Sequence, residues 1–258
     1  MRVITSLVLV VTTVLGLPID NQRIVGGRLT TIDIWPSTVA LLFSKGAKGH
    51  RQHCAGTIIT HRSVLTACHC TIGSNGPSRW LTRSGTSRAN SGGQVHYTLK
   101  IIEHPRYSPR TYDNDIAIIQ IEGSFTFTHM TQPASVPQSN YKLRDNSVVY
   151  AVGWGRTSQH GPSSEQLRQV QIWTVNQATC KQRYASVNDI VTDNMLCAGY
   201  LDVGGRGQCF GDSGGPLYDN ELVIGITSWS KGCGSAEYPT VNTRVSNYDT
   251  WIEDNQLY

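Results

Sequence analysis

No histidine follows Ser213 in this chain: all eight precede it, the last at His160. The serine lies in Gly211-Asp212-Ser213-Gly214-Gly215, a setting that lets a hydroxyl project from a tight turn while another chain approaches the backbone closely. The same letters satisfy the Gly-x-Ser-x-Gly elbow of an α/β-hydrolase, but that fold carries its histidine after the serine. Chain order therefore excludes it. What survives is histidine first, then aspartate, then serine. Leu65-Thr66-Ala67-Cys68-His69-Cys70 supplies a histidine, and Asp113-Asn114-Asp115-Ile116-Ala117-Ile118-Ile119 supplies an aspartate at the entrance of an apolar strand. A charge in that position needs a partner. An imidazole N–H is a suitable one, since the carboxylate then fixes the ring tautomer and stabilises the imidazolium formed when the histidine takes the serine proton. A structural histidine, an Asx-turn aspartate and a glycine turn are each ordinary. The three in this order are not.

Twenty-five glycines, ten prolines and few long helical stretches in 258 residues favour an all-β chain over a helical bundle or a βαβ array. Short strand-like runs agree: Val39 to Leu42, Thr57 to Ile59, Ile116 to Ile121, Val148 to Val152 and Leu222 to Ile226 are bounded by Gly, Asn or Pro. The length fits one large or two small domains, and 39% apolar residues argue against disorder. Charged residues make up 16%, with 22 basic against 18 acidic and no long run of one sign, so no nucleic-acid or membrane-surface role is expected. The basic residues are 16 Arg and 6 Lys, a choice that preserves charge in an alkaline fluid.

Met1 and Arg2 precede an apolar run from Val3 to Leu17, the length of a signal-peptide core and too short to span a bilayer comfortably. Residues 1–17 are therefore expected to be a signal peptide, and the mature protein to be secreted. In an oxidising compartment the seven cysteines should pair and leave one thiol over, with fifteen pairings open to any six of them. His53, Cys54, Cys68, His69 and Cys70 offer zinc-type donors, but their spacing fits no paired Cys-x-x-Cys knuckle and export opposes free thiolates. Neither a metal nor a cofactor is expected.

Together with Ile24-Val25-Gly26-Gly27 and the terminal Trp251-Ile252, these residues resemble the chymotrypsin/trypsin family of serine proteases over about nine-tenths of the chain. The resemblance implies two antiparallel six-stranded β-barrels with the active site between them, a boundary near residues 132–140, and a carboxy-terminal helix. It implies Ser213 as nucleophile, His69 as general base and acid, Asp115 as orienting carboxylate, and the amides of Gly211 and Ser213 as oxyanion hole. Ser228-Trp229-Ser230 matches the segment that pairs with substrate backbone and walls the primary pocket. The family's disulfides would be Cys54–Cys70, Cys180–Cys197 and Cys209–Cys233, leaving Cys68 as a small buried hydrophobe beside the histidine. Calcium-binding relatives carry several acidic ligands where this chain, between His69 and Asp113, has only Glu103. Residues 18–23 would be an activation peptide and residues 24–258 the protease. Cleavage after Arg23 would free the Ile24 amine to pair with Asp212 and order the Gly211 amide.

The chain departs from the family in the primary pocket. Trypsins place an aspartate six residues before the serine to pair with substrate Arg or Lys; here that residue is Gly207. Gln208 and Phe210 follow, and Ser230 and Thr240 stand where trypsins have glycine. A guanidinium buried there would lack a countercharge, so small or medium uncharged side chains are expected before the cut. An activating bond after Arg23 would then call for a separate trypsin-like protease. Other expected partners are protein or peptide substrates and protein protease inhibitors, with the chain a monomer. The resemblance to insect digestive trypsins points to the gut lumen. The alternative is a catalytically weak or inactive homologue that binds or regulates, which the complete triad opposes and the crowded pocket favours.

Overall fold

A computed structural model describes residues 25–46 and 49–258. The expected signal peptide, the expected activation peptide with Arg23, and Ile24 lie outside the described residues. Two six-stranded antiparallel barrels make up the molecule. The first closes in the order β2 (Thr38–Ser44), β3 (His50–Ile58), β4 (Ser63–Thr66), β7 (Ala117–Ile121), β6 (Gln94–Glu103), β5 (Trp80–Ser84) and back to β2. The second runs β8 (Val148–Gly153), β9 (Arg168–Val175), β10 (Met195–Gly199), β13 (Thr240–Arg244), β12 (Leu222–Trp229), β11 (Pro216–Asp219) and back to β8, with the short β1 (Arg28–Leu29) added on β9. The helices are α1 (Cys68–Thr71), α2 (Gln177–Ala185) and α3 (Asp249–Asn255).

Side-chain alternation decides which runs become strands. Val149 and Ala151 on β8 and Val170 and Ile172 on β9 point into the second barrel, where they meet Leu196, Ala198, Leu217 and Ile224. Ile118, Ile119 and Ile121 on β7 are all fully buried, because the strand packs on both faces. Each such side chain contributes about 1.5–3 kcal/mol on leaving water. The five strand-like runs of the sequence all fall within or overlap these strands.

The termini cross over. The described chain begins on the second barrel as β1 and ends on the first: Ile252 of α3 lies in the core cluster of Val64 and Ile119, and Ser63 Oγ accepts from Leu257 N–H at 2.7 Å. Hydrogen bonds also bridge the barrels. The Tyr218 hydroxyl on β11 lies 2.7 Å from Ser37 Oγ, and Asp113 accepts from Thr192 Oγ1 at 2.6 Å and Asn194 Nδ2 at 3.1 Å. The seam between the barrels is thus a fixed surface.

Candidate active site

His69 sits on α1 at the end of β4, with the Cys54–Cys70 disulfide at its flank. Its Nδ1 lies 2.7 Å from Asp115 Oδ2, and its backbone N–H donates to Asp115 Oδ1 at 2.8 Å, so both carboxylate oxygens grip the same residue. Asp115 is fully buried. The second barrel holds it from behind: Ser228 Oγ donates to Oδ2 at 2.5 Å, and Thr243 Oγ1 donates to its carbonyl at 2.6 Å. An acceptor on Nδ1 leaves Nε2 as the ring atom able to take a proton.

Ser213 lies in the loop before β11 and lines the same cleft as His69. Its carbonyl accepts from Ala55 N–H on β3 at 2.8 Å, pinning the loop to the first barrel. The next residue must be glycine for two reasons: Gly214 has φ +74°, and a Cβ there would fall 2.1 Å from Thr66 Oγ1. Gly211, φ +96°, turns the chain ahead of the serine, and its carbonyl accepts from Gln52 Nε2 at 2.8 Å. Neither Gly211 N–H nor Ser213 N–H donates to an acceptor among the described residues. Two N–H groups left free beside a serine can receive a developing oxyanion.

Asp212 is buried between them. Its Oδ1 accepts from Gly155 N–H at 2.8 Å and its Oδ2 from Cys209 N–H at 3.0 Å. Burial nonetheless lifts its carboxyl to about 6, against the pull of those two donors. Val25, the first residue described, already pairs with this region: Gly207 N–H donates to its carbonyl at 3.1 Å. The sequence offered no sign of Gln52 or Gly155, which reach this loop from far along the chain, Gln52 through its side-chain amide and Gly155 through its backbone N–H.

Residues 24–252 match the family model described as Trypsin. The chain is 54% identical over 242 residues to "Trypsin, alkaline C" of Manduca sexta, covering 94% of each chain. It is 52% identical over 256 residues to "Trypsin CFT-1" of Choristoneura fumiferana, covering 99% of this chain and all of that one. It is 47% identical over 236 residues to "Achelase-1" of Lonomia achelous. The chain belongs to the trypsin family. It is a serine endopeptidase, and the barrels, the carboxy-terminal helix and three disulfides, Cys54–Cys70, Cys180–Cys197 and Cys209–Cys233, are those of a trypsin-like protease.

In this trypsin-family enzyme the cleft at His69 and Ser213 has a volume near 340 Å³. Gln208, Phe210, Ser228, Trp229, Ser230 and Thr240 line it, joined by Tyr112, Thr227 and the Cys209–Cys233 disulfide. No lining residue carries a carboxylate. Gly207, expected as a pocket residue, is absent from the lining. It lies beneath, its N–H spent on Val25, where an added Cβ would come 3.2 Å from Gly234 Cα and 3.6 Å from Thr240 Oγ1. Ser230 is exposed, its hydroxyl donating to the Gly232 carbonyl at 2.8 Å, so it narrows the mouth less than its substitution for glycine suggests. Phe210 is exposed at the rim with the Arg156 guanidinium 5.4 Å over its ring. Glu237 is also exposed and accepts from the Tyr238 hydroxyl.

Among the described residues, the one close cluster of metal-type donors is Cys54, His69 and Cys70, and its two sulfurs are joined to each other. It offers no thiolate to an ion. Cys68 is fully buried, and burial, with the charges of Glu103 and Asp115, pushes its thiol well above the usual range. A thiol kept protonated is inert.

Proposed function

We propose that the chain is a secreted endopeptidase acting through Ser213, His69 and Asp115, that cleavage after Arg23 activates it, and that it cuts after uncharged side chains. The observation that carries the reading is one cleft holding Ser213, a histidine clamped by a buried carboxylate, and two undonated backbone N–H groups, with no carboxylate in its walls. Ser213 Oγ attacks the substrate carbonyl as His69 Nε2 takes its proton. The oxyanion is received by the N–H groups of Gly211 and Ser213. His69 returns the proton to the leaving amine, giving an acyl-enzyme that water hydrolyses by the same steps in reverse order. Asp115 keeps its negative charge and holds the ring throughout.

A substrate guanidinium in this cleft would be desolvated against neutral groups, which is costly. Two of the three relatives reported above are called trypsins, but the pocket aspartate of trypsins is Gly207 here, so the proposed preference is for small or medium uncharged side chains. An enzyme of that preference does not cut its own precursor after Arg23, and a separate trypsin-like protease does. The gut lumen is the proposed site of action; three of the relatives carry "alkaline" in their names, and the excess of arginine over lysine suits such a fluid.

The test has two parts. Processed enzyme treated with an organophosphate should become labelled on Ser213, and folded, processed protein that stays unlabelled refutes the mechanism. Precursor incubated alone should stay intact and inactive, while a trace of trypsin should yield a chain beginning at Ile24. Concentration-dependent self-cleavage at Arg23 refutes the pocket reading.

A further inference from the structure

Along β9, Val170 and Ile172 point into the second barrel, so Gln169, Gln171 and Trp173 share its outer face. Residues directly opposite on neighbouring antiparallel strands point the same way. That brings Arg28 of β1, opposite Gln169, and Tyr150 of β8, opposite Gln171, onto this face. Arg206 arrives from the segment before Gly207, with its guanidinium 5.7 Å over the Trp173 ring and 5.3 Å over that of Tyr200. Gly26 makes room for it: its φ is +69°, and an added Cβ would come 2.7 Å from Arg206 Cγ. Arg28, Arg206, Gln169, Gln171, Tyr150 and Gly26 line a cavity near 270 Å³, which shares no lining residue with the catalytic cleft.

The side-chain groups without a partner in this cavity are all donors. The Trp35 indole can only donate, and it gives its N–H to Gln169 Oε1 at 2.8 Å, which fixes that amide with Nε2 left over. The Tyr150 hydroxyl donates to Gln171 Oε1 at 3.3 Å and leaves Gln171 Nε2 over in the same way. Neither Nε2 meets an acceptor among the described residues, and neither is sealed from solvent. Gln169 is 6% exposed and stands in the cavity wall. The guanidinium groups of Arg28 and Arg206 make no hydrogen bond or ion pair among the described residues, and no carboxylate lines the cavity. Two cations, one of them half-buried against aromatic rings, thus face one space together with two amide N–H groups.

We infer that this cavity binds a small tetrahedral oxyanion of the phosphate or sulfate class. Guanidinium forks match such an anion bidentately, and the two amides can bind its remaining oxygens. A cation is repelled there, and a neutral ligand leaves two like charges uncompensated. Position gives the anion its effect. Arg28 directly follows Gly26-Gly27, and Arg206 precedes Gly207, whose N–H donates to the Val25 carbonyl. An oxyanion gripped by both arginines ties the start of the described chain to the segment beneath the primary pocket. The inference is independent of the specificity proposed above.

The experiment uses the Ser213→Ala chain, to exclude self-digestion, and follows Tm as inorganic phosphate or sulfate replaces chloride at constant ionic strength. With a dissociation constant of about 1 mM, about 20 mM of the anion should raise Tm by about 4–7 °C, and the rise should saturate. The general stabilisation by such salts grows without saturating and is indifferent to single residues of this cavity. Arg28 is exposed, and Arg28→Gln should weaken the anion's binding by about ten-fold or more, the order of one charged hydrogen bond. Gln171→Glu places a carboxylate on the same face and should abolish the saturable rise. The anion that saturates at the lower concentration is the ligand. No saturable rise in the parent overturns the inference, and so does a rise that either variant keeps in full, since the anion then binds elsewhere. If Gln171→Glu does not fold, Arg28→Gln decides.

Discussion

Replacing Gly155 by alanine tests how the cleft is held together. The added methyl would lie 2.5 Å from Asp212 Cγ and Oδ2, and relaxed contacts between such atoms are about 3.5–4 Å, so the carboxylate must retreat by about 1 Å. That movement strips Oδ1 of its 2.8 Å bond from Gly155 N–H. Overpacking costs about 1–3 kcal/mol and a lost hydrogen bond to a carboxylate about 1.5–3; one displacement causes both, so about 3 kcal/mol is expected. In a chain of this size that lowers Tm by about 6–12 °C. Activity should suffer more. Asp212 lies between Gly211 and Ser213 in sequence, and misplacing one oxyanion donor costs about 10²–10³-fold in kcat. The assay is kcat on an ester substrate, normalised to folded protein and measured well below the melting range. Gly73→Ala is the control: with φ +68° and no atom within 4 Å of the added methyl, it should cost about 1–2 kcal/mol of strain and leave kcat unchanged. A Gly155→Ala enzyme with kcat within about three-fold of the parent would refute the view that Asp212 holds the oxyanion donors in place.

Other outcomes follow from the same geometry. Burial raises Asp212 to about 6 from 3.8, so the folded chain holds its proton more tightly than the unfolded chain and stability falls as pH rises through that window, by about 3 kcal/mol. Urea unfolding of uncut Ser213→Ala precursor at pH 4 and pH 7 should show this loss, reduced by Asp212→Asn and, if the proposed activation holds, also by cleavage after Arg23, which on that proposal supplies the Ile24 ammonium. Asp115→Asn should lower kcat by about 10⁴-fold with little change in KM, because it presents the wrong tautomer of His69 to the serine. Gly207→Asp should give only weak cleavage after arginine, since the new carboxylate enters space bounded by Gly234 Cα and Thr240 Oγ1; robust trypsin-like turnover would show that the missing charge alone sets the pocket. Cys68→Ala should leave kcat/KM unchanged, and in the parent a thiol reagent should label Cys68 only after unfolding.

The parts legible in the sequence are those where neighbouring letters act together. β7 could be read because three of its five residues are isoleucines that the fold buries, and the turn at Ser213 because its glycines are needed within one loop. β13 was invisible for the opposite reason: its buried positions include the polar residues Thr240, Asn242 and Thr243, which leave no apolar stripe. β6 was equally hidden, with Thr98 the one fully enclosed residue along a strand whose side chains mostly face outward. In the cleft, the triad residues carry local signatures, whereas Tyr112 and Thr227 reach it from loops and strands whose letters mean nothing alone.

The order in which the chain leaves the ribosome gives the crossed termini a further meaning. His69 and Asp115 emerge long before Ser213, so a nascent chain holds the proposed base without the proposed nucleophile. The first barrel cannot finish without the end of the message, because Ile252 belongs to its core and Leu257 bonds to Ser63. The oxygens that clamp Asp115 from behind, on Ser228 and Thr243, also come late. A prematurely terminated chain therefore lacks either the serine or the seal on the barrel that carries its histidine.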